Sequence, residues 1–238
     1  MNERKRIYHG VSIGILMLDT RFERFVGDIG NARTWPFPVQ YRIVSGATPN
    51  QVTRAEGPDM LDAFKAAADE LIAAGVDGIS TTCGFLALYQ KELADHCAVP
   101  VATSALLQVP MVARTLPRGK RPAIITFSAP SLTARHLEAV GVDPETPIHG
   151  MPPSSEFQRS IREGDTSVSF DLLRREVLDV AERITRQDAS IAAFVLECTN
   201  LTPYSRDIAK LTGLPVFDMV TLLHWFHRSL RPERFEQD

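Results

Sequence analysis

Short apolar segments alternate with longer amphipathic segments along most of the chain. The short segments, most of which are nearly continuous in apolar residues, cover positions 11–18, 39–44, 76–80, 99–102, 122–127, 191–196 and 215–217. The longer segments, in which apolar residues recur every three or four positions, cover positions 58–74, 85–96, 105–116, 130–140, 170–186, 204–211 and 219–230. Continuous apolar segments are typical of buried parallel strands, whereas the longer period is that of a helix. The pattern therefore predicts an α/β protein with mainly parallel sheets flanked by helices.

Two segments interrupt this alternation. Residues 21–38 predict a long irregular loop, and such loops inside compact domains are usually functional, so Asp28 and Arg33 are candidates for substrate contact. Residues 141–153 are rich in proline and glycine and predict at most one short strand. Asp19 directly follows the first predicted strand. Because open α/β sheets bind ligands at the carboxyl ends of their strands, Asp19 is a further candidate for substrate binding.

The two halves of the chain resemble each other in the spacing of their landmarks. Cys83 and Cys198 are 115 residues apart, and so are Pro100 and Pro215, each of which lies in a short apolar segment before a helix. The strand predicted at 12–17 is matched by the one at 122–127, at a shift of 110. These shifts indicate an internal duplication. We therefore expect two pseudo-symmetric lobes, with one cysteine at an equivalent strand end of each and the active site in the cleft between them.

Length and charge limit the partners that the chain is expected to have. Its 238 residues suffice for two lobes with cores of their own. The net charge of −3 provides no basic field, so the sequence predicts no nucleic-acid partner. The first apolar segment is too short for a signal peptide, and none approaches the length of a membrane span. We therefore expect a cytoplasmic protein without a membrane partner.

The three cysteines do not form a disulfide framework in a chain of this length. Cys97 lies at the end of a predicted helix, where core packing or surface exposure is the ordinary role. His96 beside it has no further ligands at zinc spacing, and His224 with His227 lacks a nearby carboxylate. The sequence therefore predicts no metal site.

Cys83 and Cys198 each lie between a predicted strand and a predicted helix. A thiol at a helix N-terminus faces the positive end of the helix dipole and free backbone N–H groups. We therefore expect the pKa of both thiols to be lowered, as in reactive cysteines. Two such thiols facing each other predict catalysis rather than packing.

Paired thiols could invert a stereocentre without a cofactor. One thiolate would take a proton from the carbon beside a carboxylate, and the opposite thiol would return a proton to the other face. Backbone N–H groups and hydroxyls near the thiols would stabilise the negative charge that spreads into the carboxylate. The residues that offer such donors, and that we expect to bind substrate, are Thr81, Thr82, Gly84, Phe85, Thr199 and Asn200.

The two units Thr-Thr-Cys-Gly-Phe and Leu-Glu-Cys-Thr-Asn resemble those of the aspartate/glutamate racemase superfamily, which includes hydantoin racemase, maleate isomerase and arylmalonate decarboxylase. The resemblance implies two α/β lobes, residues 1–104 plus 205–238 and residues 105–204, with the C-terminal helix returning to the first. It implies that Cys83 and Cys198 are the paired acid/base thiols, that Ser128 lines the same cleft, and that no cofactor is needed. It also implies a homodimer. The expected activity is a cofactor-independent racemase or isomerase of a small carboxylate.

Two positions depart from the pattern of the amino-acid racemases. Gly84 and Phe85 replace the usual Asn-Thr after the first cysteine, and Glu197 replaces the usual glycine before the second. Two other functions remain open at this point. One is a maleate isomerase-like enzyme in which a single cysteine acts as nucleophile, and the other is a non-catalytic two-lobe protein that binds a small molecule. The substrate is not identified by the sequence.

Overall fold

A computed structural model describes residues 9–54 and 58–232 of the chain. The α-helices of these residues are α1 Pro49–Arg54, α2 Pro58–Ala74, α3 Gln90–His96, α4 Val109–Thr115, α5 Ala134–Ala139, α6 Glu156–Glu163, α7 Phe170–Gln187, α8 Ser205–Thr212 and α9 Met219–Leu230. The strands are β1 Ile13–Leu18, β2 Val39–Val44, β3 Gly78–Thr81, β4 Val101–Ala102, β5 Arg121–Thr126, β6 Ile148–Gly150, β7 Ile191–Leu196 and β8 Val216–Phe217.

The strands form two parallel four-stranded sheets with the same order. The first sheet runs β2-β1-β3-β4 and the second β6-β5-β7-β8. Each strand of the first sheet therefore has a counterpart at the same place in the second. The predicted α/β fold with two similar, mainly parallel sheets flanked by helices is confirmed.

Each sheet packs into its own apolar cluster, and the two clusters meet. The first cluster includes Leu222 and Leu223 of α9, so the last helix packs against the first sheet although it follows the last strand of the second. The contact is close: a Cβ on Gly78 of β3 would lie 2.7 Å from the ring of Phe226. Val195 of β7 also belongs to the first cluster, which joins the two halves of the molecule.

The predicted lobe limits, 1–104 plus 205–238 and 105–204, stay a prediction. Residues 1–8, 55–57 and 233–238 of the first range lie outside the described part of the chain. Within the described part, β8 pairs with β7 of the second sheet. None of the described helices is both long and apolar enough to span a membrane.

The helices that follow the two thiols differ from the prediction in their first turns. Both segments begin as 3-10 helices, Gly84–Tyr89 and Thr199–Tyr204, before continuing as α3 and α8. Helix α6 was not predicted, because its eight residues are mostly polar. It is held by Ser155, whose side chain accepts a hydrogen bond from the backbone N–H of Gln158 at its first turn. Its buried Phe157 then anchors it to the second core.

Candidate active site

The carboxyl ends of β3 and β7 bring two cysteine-bearing turns together. Cys83 follows β3 with extended backbone and precedes the first 3-10 helix, and Cys198 does the same after β7. The two turns are tied directly to each other, because the Thr199 hydroxyl donates a 2.7 Å hydrogen bond to the backbone oxygen of Thr82. The hydroxyl of Thr82 accepts a 3.1 Å bond from the backbone N–H of Leu18, which joins β1 to the same point.

A pocket opens between these turns and encloses about 440 Å³, including its mouth. Its lining is Leu18, Thr20, Phe22, Arg24, Pro49, Thr82, Cys83, Gly84, Phe85, Phe127, Ile161, Glu197, Cys198, Thr199 and Asn200. Residues from both halves of the chain contribute, and most of the lining is apolar. Such a pocket, with few polar groups, suits a small organic ligand better than a large polar one.

Most of the residues predicted to form the site line this pocket. They are Thr82, Cys83, Gly84, Phe85, Cys198, Thr199 and Asn200. Three others do not. Asp19 is exposed, Thr81 is fully buried, and Ser128 lies by a different cavity with its hydroxyl 2.9 Å from that of Ser131. Thr81 supports the site from behind, because its hydroxyl accepts the backbone N–H of Cys83 at 3.3 Å. The functional roles of all ten residues stay predictions.

The expected lowering of the thiol pKa values is wrong. Burial, and then the charge of Glu197, raises the pKa of Cys83 to about 12, although the backbone N–H groups of Phe85 and Leu86 act in the opposite direction. The same two causes raise the pKa of Cys198 well above its ordinary value, against the backbone N–H of Asn200. Desolvation disfavours a charged thiolate more than a short 3-10 turn stabilises it. Both thiols are therefore expected to be protonated near neutral pH.

Glu197 is fully buried beside the two thiols. Its Oε2 accepts a 2.5 Å hydrogen bond from the Thr126 hydroxyl, whereas its Oε1 has no hydrogen-bond partner. Burial raises the pKa of this carboxyl to about 7, against the opposing effect of Thr126. Glu197 is therefore poised between its neutral and charged forms at neutral pH.

The two departures from the racemase pattern meet in one contact. A Cβ placed on Gly84 would overlap both the backbone oxygen and Oε1 of Glu197. Only glycine fits at position 84 while a glutamate occupies position 197 and the turns keep this distance. Gly84 is required here by packing between the two turns.

A hydrogen-bonded chain extends from Cys198 into the long loop after β1. The Cys198 thiol donates to Oδ1 of Asn200 at 3.7 Å, and Nδ2 of Asn200 donates to Oδ2 of Asp28 at 2.6 Å. Asp28 is buried and its Oδ1 forms a 2.8 Å ion pair with Arg24. Arg24 also donates to the hydroxyl of Thr20 at 2.6 Å. The loop thus supports the second thiol through Asp28.

Several lining residues were not predicted from the sequence. Phe22 and Arg24 belong to the loop predicted at 21–38, for which the signal was its length, and Thr20 directly precedes that loop. Asp28 was a candidate for substrate contact, but it supports Asn200 and Arg24 behind the lining. Arg33, the other candidate, is exposed. Among the residues that the structure describes, no group of three His, Cys, Asp or Glu side chains is arranged to hold a metal ion. The absence of a cofactor and the homodimer remain predictions.

The fold is that of the aspartate/glutamate racemase superfamily. A cysteine mutant of arylmalonate decarboxylase in its sulfate-associated form aligns with a TM-score of 0.64 and 16% identity, over 93% of this chain and 97% of that one. Allantoin racemase from Klebsiella pneumoniae aligns with a TM-score of 0.59 and 19% identity, over 93% and 87%. The predicted superfamily resemblance is confirmed, and at these identities the likeness concerns the fold alone.

The sequence itself is similar to enzymes with a different activity. Dimethylsulfoniopropionate lyase 7 of Emiliania huxleyi (strain CCMP1516) is 32% identical over 230 residues, which are 92% of this chain and 67% of the relative. The dimethylsulfoniopropionate lyase of Durusdinium sp. clade D is 27% identical over 225 residues, which are 92% of this chain and 74% of the relative. No protein-family model matches the chain. The chain belongs to the family of the dimethylsulfoniopropionate lyases.

The predicted racemase or isomerase activity is wrong. The similar enzymes that span nearly the whole chain are named lyases, not isomerases. Solved structures with this fold include a decarboxylase and a racemase. The fold alone therefore does not decide the reaction.

Proposed function

We propose that the protein is a lyase that cleaves dimethylsulfoniopropionate by elimination. The observation that carries this proposal is the 32% identity to a dimethylsulfoniopropionate lyase over 92% of the chain. The pocket supports it, because two thiols, a carboxyl group and one guanidinium surround a mostly apolar space. These groups match a small substrate that bears a carboxylate and a sulfonium cation.

The elimination needs one base. The carbon beside the substrate carboxylate loses a proton, and the electron pair of that C–H bond forms a carbon–carbon double bond. The C–S bond breaks and its electron pair leaves on sulfur. The products are dimethyl sulfide, acrylate and one proton. The proton-transfer step is typical of general-base catalysis, which contributes about 10²–10⁴-fold in rate.

Cys83 is the base in this proposal. Cys83 as a residue is half-buried, whereas Cys198 is buried, and the backbone N–H groups of Phe85 and Leu86 favour the Cys83 thiolate against the effect of burial. A sulfonium cation bound in the pocket adds a positive charge beside this sulfur, which lowers the cost of forming the thiolate. Cys198 is buried and its thiol proton is directed to Asn200, so it is not assigned as the base.

The charged ends of the substrate have matching groups in the lining. Arg24 is the only basic side chain among the described residues that line the pocket, and Asp28 and Thr20 fix the plane of its guanidinium. We assign it to the carboxylate, for which a guanidinium is well suited. The rings of Phe22, Phe85 and Phe127 surround the remaining space and suit the sulfonium, because aromatic faces attract cations.

The test is release of dimethyl sulfide and acrylate from dimethylsulfoniopropionate by the purified protein. Cys83→Ser is expected to lower kcat/KM by at least about 100-fold, the lower limit for removal of a general base. Cys198→Ser is expected to cost less, because it leaves that base in place. Cys97→Ser is the matched control, since this half-buried thiol lies outside the pocket, and it is expected to keep full activity. Absence of dimethyl sulfide, or full activity of Cys83→Ser, would contradict the proposal.

A further inference from the structure

Glu197 lies where the two thiol turns touch. It directly precedes Cys198 in the chain, and its carboxyl oxygen Oε1 packs against Gly84, which directly follows Cys83. Glu197 also lines the pocket together with both cysteines. The Glu197 carboxyl therefore lies next to both cysteine-bearing turns, although Glu197 belongs only to the turn of Cys198.

The carboxyl group has one anchored and one unused oxygen. Oε2 is held by Thr126 at 2.5 Å, but Oε1 is buried without a hydrogen-bond partner. A buried oxygen without a donor is costly when it carries negative charge, and the cost falls when the group is protonated. This geometry favours a carboxyl that readily takes up a proton.

The other charged groups around the pocket are already paired. Arg24 and Asp28 form an ion pair with each other at 2.8 Å, and Asp28 also accepts a hydrogen bond from Asn200. Of the described titratable groups that face Glu197 from the two turns and the loop, this leaves the thiols of Cys83 and Cys198. Ionised Glu197 raises the pKa of both by repulsion between like charges. It is therefore unfavourable for a thiolate and the Glu197 carboxylate to be negatively charged at the same time.

We propose that Glu197 is the proton acceptor for the Cys83 thiol, so that the two groups share one negative charge and the thiolate exists while Glu197 holds the proton. The S–H bond breaks, its electron pair stays on sulfur, and the proton forms an O–H bond on the carboxylate. Glu197 acts through Cys83 and is a positioning residue for the proton, not the base that meets the substrate.

The catalytic part of this inference rests on the proposed lyase function. The Cys83 thiolate takes the substrate proton and becomes a thiol again, while dimethyl sulfide and acrylate leave. Glu197 then still holds the proton it received from Cys83 and loses it to solvent. One proton is released for each substrate cleaved, which balances the elimination, and the site returns to its starting state.

The first experiment measures thiol reactivity and needs no substrate. Iodoacetamide alkylation of Cys83 is followed between pH 5 and pH 10 by peptide mapping, with Cys97 as the internal control thiol. If the charge is shared, the wild-type rate rises with pH through about 7, the pKa of Glu197, and levels off about one pH unit higher, once the Glu197 carboxyl is almost fully ionised. In Glu197→Gln the rate continues to rise above pH 7, by about tenfold per pH unit while the thiol remains mostly protonated.

The increase in rate between pH 7 and pH 9 is therefore expected to be at least about tenfold larger in Glu197→Gln than in the wild type. Glu197→Asp, which keeps a carboxyl, is expected to restore the levelling, and the exposed Glu92→Gln is expected to match the wild type. Parallel profiles of the wild type and Glu197→Gln would overturn the inference. So would a wild-type rate that keeps rising by about tenfold per pH unit above pH 8, and this result does not depend on the folding of any variant.

The second experiment separates this inference from the proposed function. The same proteins are assayed for release of dimethyl sulfide across the same pH range, and the wild-type kcat/KM is expected to level off where its alkylation rate does. A levelling of alkylation without any cleavage would support the shared charge and contradict the lyase function. Cleavage with parallel alkylation profiles would support the lyase function and overturn the role of Glu197.

Discussion

The two thiol turns have the same backbone plan but different surroundings. Each follows the third strand of its sheet in chain order, and each opens a six-residue 3-10 helix. Cys83 is partly exposed and has a hydrophobic Phe85 two positions later, whereas Cys198 is buried and has Asn200 there. The first turn carries no charged side chain beside its thiol, and the second carries Glu197. Equivalent positions in a duplicated fold therefore do not have equivalent chemistry.

The difference is compensated at the contact between the turns. Glu197 is accommodated because the residue after the other cysteine is Gly84. The smaller first turn provides the space, and the second turn provides the titratable group. Variants at this contact and within each turn test how far the two turns depend on each other.

The largest effect is expected from Gly84→Ala. The added Cβ would overlap the backbone and carboxyl of Glu197, and overpacking of this kind costs about 3 kcal/mol in the free energy of unfolding. It would also move Cys83, so we expect at least about a 100-fold loss of elimination rate, since small misplacements of reacting groups have effects of this size. Urea unfolding and the dimethyl sulfide assay measure the two effects.

The matched control for Gly84→Ala is the double variant Gly84→Ala with Glu197→Ala. Removal of the carboxyl takes away one of the two overlaps, so part of the lost stability is expected to return. If the two substitutions are simply additive, the contact between Gly84 and Glu197 does not explain the effect.

The second effect concerns the pH dependence of stability. The pKa of Glu197 in the folded protein, about 7, lies above its ordinary value of 4.5. Its contribution to stability is therefore complete below about pH 4.5 and is lost as the pH rises through 7. One pKa unit corresponds to about 1.4 kcal/mol, so the full loss is about 3 kcal/mol.

This dependence is measured by urea unfolding of the wild type and Glu197→Gln at pH 5 and pH 8. The glutamine variant cannot ionise, so the wild type is expected to lose up to about 3 kcal/mol more than the variant between these pH values. An equal change in both proteins would show that the Glu197 carboxyl is not titrating in this range.

A smaller effect is expected from Asn200→Ala in the second turn. The variant removes the 2.6 Å hydrogen bond to buried Asp28 and the acceptor of the Cys198 thiol. Hydrogen bonds to charged groups contribute about 2 kcal/mol, which is the expected loss of stability in thermal or urea unfolding. Phe85→Ala, at the same position of the first turn, removes only packing. Its loss of stability should be the same with and without a second substitution, Asp28→Asn, whereas the loss caused by Asn200→Ala should be smaller when Asp28→Asn is present.

The smallest effect is expected from Thr199→Val. This variant keeps the shape of the side chain but removes the 2.7 Å hydrogen bond that joins the two turns through the backbone oxygen of Thr82. The expected loss is about 1 kcal/mol in the free energy of unfolding, with a few-fold increase in KM if the bond holds the turns at the distance that the substrate needs. Thr202→Val is a suitable control, because its buried hydroxyl has no hydrogen-bond partner.

The apolar pattern was sufficient to predict the sheets. Seven of the eight strands correspond to apolar segments, and the eighth, β6, lies in the segment predicted to hold at most one short strand. Parallel strands buried on both faces favour continuous apolar residues, which makes most of these strands visible without an alignment, although Gln40 and Arg42 interrupt the half-exposed β2. Helix α6 was not visible, because two apolar residues, Phe157 and Ile161, are too few to establish a helical period.

The site was predicted in part. The paired positions of Cys83 and Cys198 follow from the duplicated spacing. The sequence alone therefore predicted that both cysteines line one pocket. The direction of their pKa shifts was wrong, because it depends on burial and on the Glu197 carboxyl, which precedes Cys198 in the chain but reaches Cys83 only through the fold. Asp19 was expected in the site, but the chain turns away after β1, where its backbone N–H bonds to Ala47.

The order of apolar and polar residues by itself determined two parallel sheets, their equivalence and the place of a thiol at the end of each third strand. These features depend on local periodicity and on hydrophobic burial, which are properties of short segments. Only the tertiary structure decided that Glu197 lies against Gly84, that Arg24 reaches the pocket and that both thiols are held in their neutral form. These features depend on distances between segments far apart in the chain and on the loss of water around buried charges, and a linear pattern does not contain either.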